Sequence, residues 1–149
     1  MKLKAVLTIL FVAMLAGVVV HPARADNELR GQLEQVQEAT ARFHNTQIAM
    51  AAGYNFVPGL DYCFNNPGVG GMGFHLINVS LLDTVVDPLK PEAMVYAPGL
   101  KGKLELGAVE YIVPISAWDA AHAKPPTLFG QTYDRNQTLG LQTLLKDLL

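Results

Sequence analysis

The sequence has a single cysteine, Cys63, in 149 residues, so no disulfide can form within the chain. Redox and catalytic sites built on a cysteine pair are excluded for the same reason. Four interpretations of Cys63 stay open. It forms an intermolecular bond, remains a thiol, lacks a partner that this chain does not contain, or is buried as a small apolar residue.

Charge is almost absent from the first 25 residues, which have the three parts of a secretory signal. Lys2 and Lys4 give a basic start, residues 5–20 form an uncharged apolar run, and Ala23-Arg24-Ala25 is typical of a signal peptidase site. The alternative is an uncleaved membrane anchor, but this run is shorter than the roughly 20 residues that span a bilayer. We predict cleavage after Ala25 and an exported protein, periplasmic or secreted.

Basic residues are scarce in the remaining chain, 26–149. Loss of Lys2, Lys4 and Arg24 leaves 8 of the 11 basic residues against all 13 acidic ones, a formal net charge of −5. A chain without a basic patch has no electrostatic footprint for a phosphate backbone. We therefore expect no nucleic-acid partner, and no membrane contact after cleavage. The 124 residues suffice for one domain with a modest core.

Familiar catalytic motifs are also lacking, since the sequence contains neither a G-x-S-x-G elbow nor an H-E-x-x-H helix. A G-x-G-x-x-G pattern does occur at Gly68, Gly70 and Gly73, with Glu92 about 20 residues later. A dinucleotide site needs a strand before these glycines and a helix after them, whereas Asn65-Asn66-Pro67 precedes and an extended apolar segment follows. We reject nucleotide binding and predict that Gly68, Gly70, Gly71 and Gly73 form a structural turn before a strand.

The periodicity of the chain predicts an α+β fold, with one long N-terminal helix packed on a small antiparallel sheet and many loops. Apolar positions spaced by three and four residues predict a helix over 27–52, ended by Gly53. Its apolar face comprises Leu29, Leu33, Val36, Thr40, Phe43, Gln47 and Met50. Residues 74–86 predict a strand that runs into a turn at Asp87-Pro88. Residues 92–97 and 104–115 predict a hairpin around Pro98-Gly99, and residues 138–149 predict a short helix.

His75 lies in the apolar segment after the glycines. In an extended strand it would share one side with Ile77 and Val79, while Asn78 and the glycine turn bring further polar groups nearby. A lone histidine on such a face is most often a satisfied core residue. The functional alternative is a ligand site.

Glu110 is the matching anomaly in the predicted hairpin. Alternation places it on a face with Leu104, Leu106, Ala108 and Ile112. A carboxylate buried there needs a cation, a metal or hydrogen-bond donors. The other interpretation is that this face is exposed and Val109, Tyr111 and Val113 point inward. If His75 and Glu110 both face inward, they form a hydrogen-bonded pair or ligate a divalent metal. Structural zinc takes four ligands, and no spacing supports His122 as a third.

Four blocks together resemble a family of uncharacterised, mostly bacterial, exported proteins. They are GMGFHLIN, PEAMVYAP, VEYIVP and PPTLFGQTY, and the similarity covers roughly residues 36–140. The resemblance singles out Gly71, Met72, Gly73, His75, Asn78, Glu110 and Tyr111. It implies a ligand-binding set of His75, Asn78, Glu110 and Tyr111, but no activity.

The chain departs from that family at its C-terminus. Members continue after the L-F-G-Q block into a segment with a histidine, tryptophans and a terminal cysteine, whereas this chain ends in LGLQTLLKDLL. The resemblance therefore implies a truncated or frame-shifted member. The segment it lacks would hold the partner of Cys63 and a second histidine near His75.

Three functions are compatible with these observations. The first is an exported binding protein that holds a metal ion or small polar ligand near His75, Asn78 and Glu110. The second is an enzyme that uses Glu110 as a general base beside His75. The third is a structural or interaction domain in which His75 and Glu110 only satisfy each other.

Overall fold

The structure is a computed structural model that describes residues 22–63, 65–66, 68 and 70–135. The predicted leader up to residue 21 and the predicted C-terminal helix lie outside the described residues. The predicted cleavage point after Ala25 falls within the first helix, which begins at Pro22. Among the described residues, no helix has the length and apolar character needed to cross a membrane.

The fold is α+β, as the periodicity predicted, and its helical part is broken near the C-terminal end. Helix α1 spans Pro22–Thr40, a 3₁₀ turn covers Ala41–His44, and α2 spans Thr46–Ala51. The prediction of one uninterrupted helix over 27–52 is therefore wrong at Asn45. This residue has an extended backbone, and its side chain accepts a hydrogen bond from the Gln47 amide at 2.9 Å. A short polar side chain favours such an N-cap over a helix interior.

The main sheet is antiparallel, with four strands in the order β1-β4-β5-β6. Its strands are β1 Asn55–Phe56, β4 Phe74–Ile77, β5 Ala93–Pro98 and β6 Leu104–Glu110. Two further antiparallel ladders are formed by β2 Asn65–Asn66 with β3 Gly70–Gly71, and by β7 Thr127–Leu128 with β8 Gln131–Thr132. Short 3₁₀ turns cover Val79–Leu81 and Leu100–Gly102, and α3 covers Ile115–Asp119.

Two strands end earlier than predicted because side chains take over backbone hydrogen bonds. β4 stops at Ile77, since Asn78 caps the following 3₁₀ turn by accepting from the Ser80 amide at 3.2 Å. Val79 consequently lies in that turn and not on the strand face with His75. The β5–β6 hairpin is confirmed, but β6 ends at Glu110 and not at residue 115. Beyond it, the Ile112 amide donates to the Glu92 carboxylate at 2.9 Å.

A bulge in β6 overturns both predicted arrangements of its side chains. Val95 pairs with Ala108 and Tyr96 pairs with Leu106, so Gly107 is an extra residue in the ladder. An extra residue exchanges the faces of the positions that follow it. Leu104, Leu106 and Val109 consequently pack on one core cluster. Glu110 is separated from the two leucines that strict alternation had placed beside it.

Each face of the sheet carries its own apolar cluster. The helical side buries Phe43, Ala49, Tyr54, Leu76, Met94 and Tyr96. The opposite side buries Val57, Leu60, Ile77, Leu82 and Ala93. The helical segment is fixed to the sheet near Phe43, whose carbonyl accepts from the Tyr96 hydroxyl at 2.6 Å. By contrast, Leu29 and Leu33 on the predicted apolar face of α1 are 37% and 48% exposed.

Candidate functional site

His75 and Glu110 come together across three strands. His75 on β4 pairs with Val95 on β5, which pairs with Ala108 on β6. Glu110 follows Ala108 by two residues and therefore shares its face. The His75 Nδ1 and Glu110 Oε2 atoms are 2.9 Å apart. The bulge at Gly107 makes this contact possible, because the residues after it exchange faces and Glu110 comes to the face of His75.

The two side chains of this pair differ in their access to solvent. His75 is buried, whereas the Glu110 side chain is 37% exposed. The hydrogen bond that His75 Nδ1 donates to Glu110 raises the pKa of His75, and burial opposes that shift. The negative charge of Glu110 and a hydrogen bond with the Met72 backbone raise this pKa further. An ionised carboxylate can only accept hydrogen bonds, so Nδ1 carries the proton in this contact. The buried His75 side chain thus orients the Glu110 carboxylate, which lies at the surface.

The predicted glycine turn precedes this pair. Gly68, Gly70 and Gly73 have positive φ angles, which L side chains rarely adopt, while Gly71 lies in β3 opposite Asn65. At Gly73 a Cβ atom would come within 2.8 Å of the Tyr96 carbonyl oxygen and of Val95 Cγ1. Gly73 therefore lets the chain approach β5 closely just before His75.

Asn78 is occupied by contacts within the chain. Its Nδ2 donates to the Ala52 carbonyl at 3.2 Å, and its Oδ1 accepts from the Ser80 amide and from Ser80 Oγ, the latter at 2.6 Å. These bonds join the end of α2 to the end of β4 and bury Asn78. The structure thus gives Asn78 a scaffold role beside the pair.

Tyr111 and His122 are directed elsewhere. The Tyr111 hydroxyl donates to the Pro88 carbonyl at 2.7 Å, and its ring contacts Phe129 edge-on. His122 is exposed and stacks on Trp118 with ring centroids 3.9 Å apart. In the part of the chain that the structure describes, no group of three His, Cys, Asp or Glu side chains is arranged to hold a metal ion. His75 and Glu110 are therefore the two candidate ligands.

Sequence reasoning missed Glu92, the most buried ionisable carboxyl among those described. It is 3% exposed, and burial raises its pKa to about 7. The hydrogen bond from the Ile112 amide opposes this shift, and the charges of Asp83 and Asp87 add a smaller increase. The sequence had drawn attention to it only as the acidic residue of a rejected nucleotide motif. A better signal of its burial was its position directly before the apolar residues 93–96, since a residue next to a buried strand tends to be buried with it.

The chain was compared with protein-family models, curated proteins and solved structures, and none of them matches. The family resemblance drawn from the sequence blocks therefore stays a prediction. The function of the chain has to be inferred from the contacts of the described residues.

Proposed function

We propose that this chain is an exported binding protein and that the His75–Glu110 pair is the polar centre of its ligand site. The observation that carries the proposal is the 2.9 Å contact between a buried imidazole and a surface carboxylate. An oriented carboxylate at a surface is a ready acceptor for a ligand, because its geometry is fixed before the ligand arrives.

The site favours a ligand that carries a cationic or hydrogen-bond-donating group. Oε2 of Glu110 is taken by His75, and a carboxylate has two oxygens with about four acceptor positions. Oε1 is left for the ligand, since no other described residue is found bonded to Glu110. An ammonium, guanidinium or hydroxyl group fits this acceptor, and a charge-assisted hydrogen bond contributes about 1.5–3 kcal/mol.

A divalent metal ion fits the same two side chains in one of two ways. A hard ion such as Ca²⁺ would bind the Glu110 carboxylate with water, while His75 keeps its hydrogen bond and orients the ligand. A softer ion such as Zn²⁺ would take both Glu110 and the His75 imidazole, and it would replace their hydrogen bond. Either ion needs further ligands from water or from a bound small molecule.

The test is a titration of the purified protein with Zn²⁺, Ca²⁺, Mn²⁺ and a set of small amines, followed by thermal unfolding and calorimetry. A probe at 100 times its Kd stabilises the folded state by about 2.7 kcal/mol. We expect Glu110→Gln to weaken binding by roughly 10- to 100-fold, since it removes the charged acceptor. His75→Ala should weaken it as well, because Glu110 loses its orientation.

Glu105→Gln is the matched control, since Glu105 is an exposed glutamate on the same strand. It should leave every titration unchanged. If His75→Ala and Glu110→Gln both bind the probes as the parent does, the pair is not a ligand site. Replacement of both residues by apolar side chains of similar size, with stability preserved, would then assign the pair a structural role.

A further inference from the structure

We propose that a polar cleft beside the β5–β6 hairpin binds a small polyanion, such as a tricarboxylate or a phosphate ester. The cleft has a volume of about 620 Å³, within the roughly 300–1,000 Å³ of small-molecule sites. One wall is formed by residues 44–47, where the helical segment is broken, and the other by residues 102–104, where β6 begins. Neither His75 nor Glu110 is among the described residues that line it, so binding here is independent of the ligand site proposed above.

Both walls are fixed by the core cluster next to them. Phe43 belongs to that cluster and Leu104 packs against it, so the neighbouring residues His44 and Lys103 come to the two walls of the cleft. The Gly99 amide donates to the Lys103 carbonyl at 2.7 Å, which closes the hairpin turn. The cleft is therefore formed before a ligand arrives, and this lowers the cost of binding.

The charge around the cleft is positive, although the chain carries a net negative charge. Lys103 lies in one wall, Lys101 precedes it by two residues, and Arg42 lies two residues before the other wall. These three cations form no ion pair among the described residues, whereas Lys90 and Arg135 are each paired with an aspartate. The two segments are far apart in the chain, so only the fold brings these cations together. Three cations suit a small anion and are too few for a phosphate backbone.

The polar lining can donate hydrogen bonds to an anion. Thr46 and Gln47 both line the cleft, and their side chains are not hydrogen-bonded to other described residues. No acidic residue is among the described residues that line it. The nearest acid in sequence, Glu105, has its carboxyl group against Gly99. A cleft with donors and cations but without a carboxylate favours a ligand with several negatively charged oxygens.

Lys101 has a backbone conformation that suits glycine better than lysine. Its φ is 59° and its ψ is 28°, in the left-handed region that disfavours residues with a Cβ atom. Backbone strain of this kind is concentrated at functional sites. Lys101 thus supplies a charge beside the cleft at a cost in stability, which makes binding and folding separable by one substitution.

The test is calorimetry and ¹⁵N chemical-shift mapping of the purified protein with citrate, glycerol phosphate and inorganic phosphate. Ionic strength is held constant, because general attraction between charges depends on it, and no metal ions are added. We expect citrate or glycerol phosphate to bind with a Kd below about 1 mM and to shift the amides of residues 44–47 and 102–104. Tighter binding of citrate would assign the site to carboxylates, and tighter binding of glycerol phosphate would assign it to phosphate esters.

Lys101→Gly separates binding from folding. It removes a cation and relieves the left-handed backbone, so binding should weaken roughly 3-fold while the midpoint of urea unfolding stays the same or rises. Lys101→Gly combined with Lys103→Gln should weaken binding roughly 10-fold. Lys124→Gln is the matched control, since Lys124 is an exposed lysine outside the cleft. Neither this control nor Glu110→Gln should change the affinity.

Three results would overturn the proposal. The first is that citrate and both phosphates show no binding at about 10 mM. The second is that the shifted amides lie outside the two walls. The third is that Lys124→Gln weakens binding as much as the Lys101 and Lys103 substitutions do, because general attraction between opposite charges would then explain the signal.

Discussion

At the scale of single residues, His75 and Glu92 show two ways in which this chain handles a buried ionisable group. His75 has a partner of opposite charge, and the hydrogen bond to Glu110 outweighs the effect of burial on its pKa. Among the described residues, Glu92 receives only a backbone amide donor, so burial dominates and the carboxyl is pushed towards its neutral form. The outcome in each case depends on the nearest neighbour, which the linear sequence does not identify.

The first residue-scale prediction concerns the pKa of His75 in Glu110→Gln. The substitution removes the largest cause of the raised pKa and leaves burial, which lowers it. We expect the pKa of His75 to fall below the ordinary histidine value, measured by NMR titration of its imidazole protons. Glu105→Gln serves as the control and should leave it where it is in the parent. An unchanged pKa in Glu110→Gln would mean that the two side chains do not interact in solution.

At the scale of elements, the hairpin of β5 and β6 followed from the sequence because alternation and the Pro98-Gly99 turn are local signals. The breaks did not. Asn45 and Asn78 each end a regular element with a side-chain hydrogen bond that any asparagine can make but few do. The bulge at Gly107 is a property of the register between β6 and β5, which the sequence of β6 alone does not determine. The His75–Glu110 contact was foreseen on the condition that both side chains face inward. The bulge instead brings Glu110 to the face of His75 with its side chain still 37% exposed.

The element-scale prediction compares two glycines with nearly equal backbone angles. Gly73 has φ +82° and Gly68 has φ +85°, but a Cβ at Gly68 meets nothing within 4 Å, whereas one at Gly73 collides with Tyr96 and Val95. Gly68→Ala should cost about 1–2 kcal/mol for the left-handed backbone alone. Gly73→Ala should cost about 2–4 kcal/mol, because strain in the core is added. Urea unfolding measures both, and equal losses would refute the close approach of Gly73 to β5.

At the scale of the whole molecule, the helical segment is anchored by one end. Phe43 and Ala49 belong to the core cluster that includes Tyr96, while Leu29 and Leu33 towards the start of α1 remain exposed. The heptad-like spacing correctly predicted a helix here but not which of its turns would be covered, since coverage depends on where the sheet ends. The other face of the sheet is covered by loops, and His75 lies on that face with Ile77.

The shifted pKa values of Glu92 and His75 together predict how the free energy of unfolding changes with pH. The folded state raises the pKa of Glu92 from 4.5 to about 7, so it binds a proton more tightly than the unfolded chain does. Stability from this group is therefore lost as pH rises from about 4.5 to about 7. His75 acts in the same direction, because its pKa is also raised and its stabilisation is lost as pH rises through the folded value. The lowered pKa values of Asp87 and Asp119 matter only at more acidic pH.

We therefore expect the protein to be more stable at pH 5 than at pH 8, by up to about 3 kcal/mol for the Glu92 contribution, since each pKa unit corresponds to about 1.4 kcal/mol. Urea unfolding at intervals of one pH unit, followed by the fluorescence of Trp118, measures this change. Glu92→Gln should be more stable than the parent at pH 8 and similar to it at pH 5, because glutamine carries no charge to bury. His75→Gln should retain most of the decline. A decline in stability that is equal in the parent and in Glu92→Gln would show that burial does not raise the pKa of Glu92 in solution.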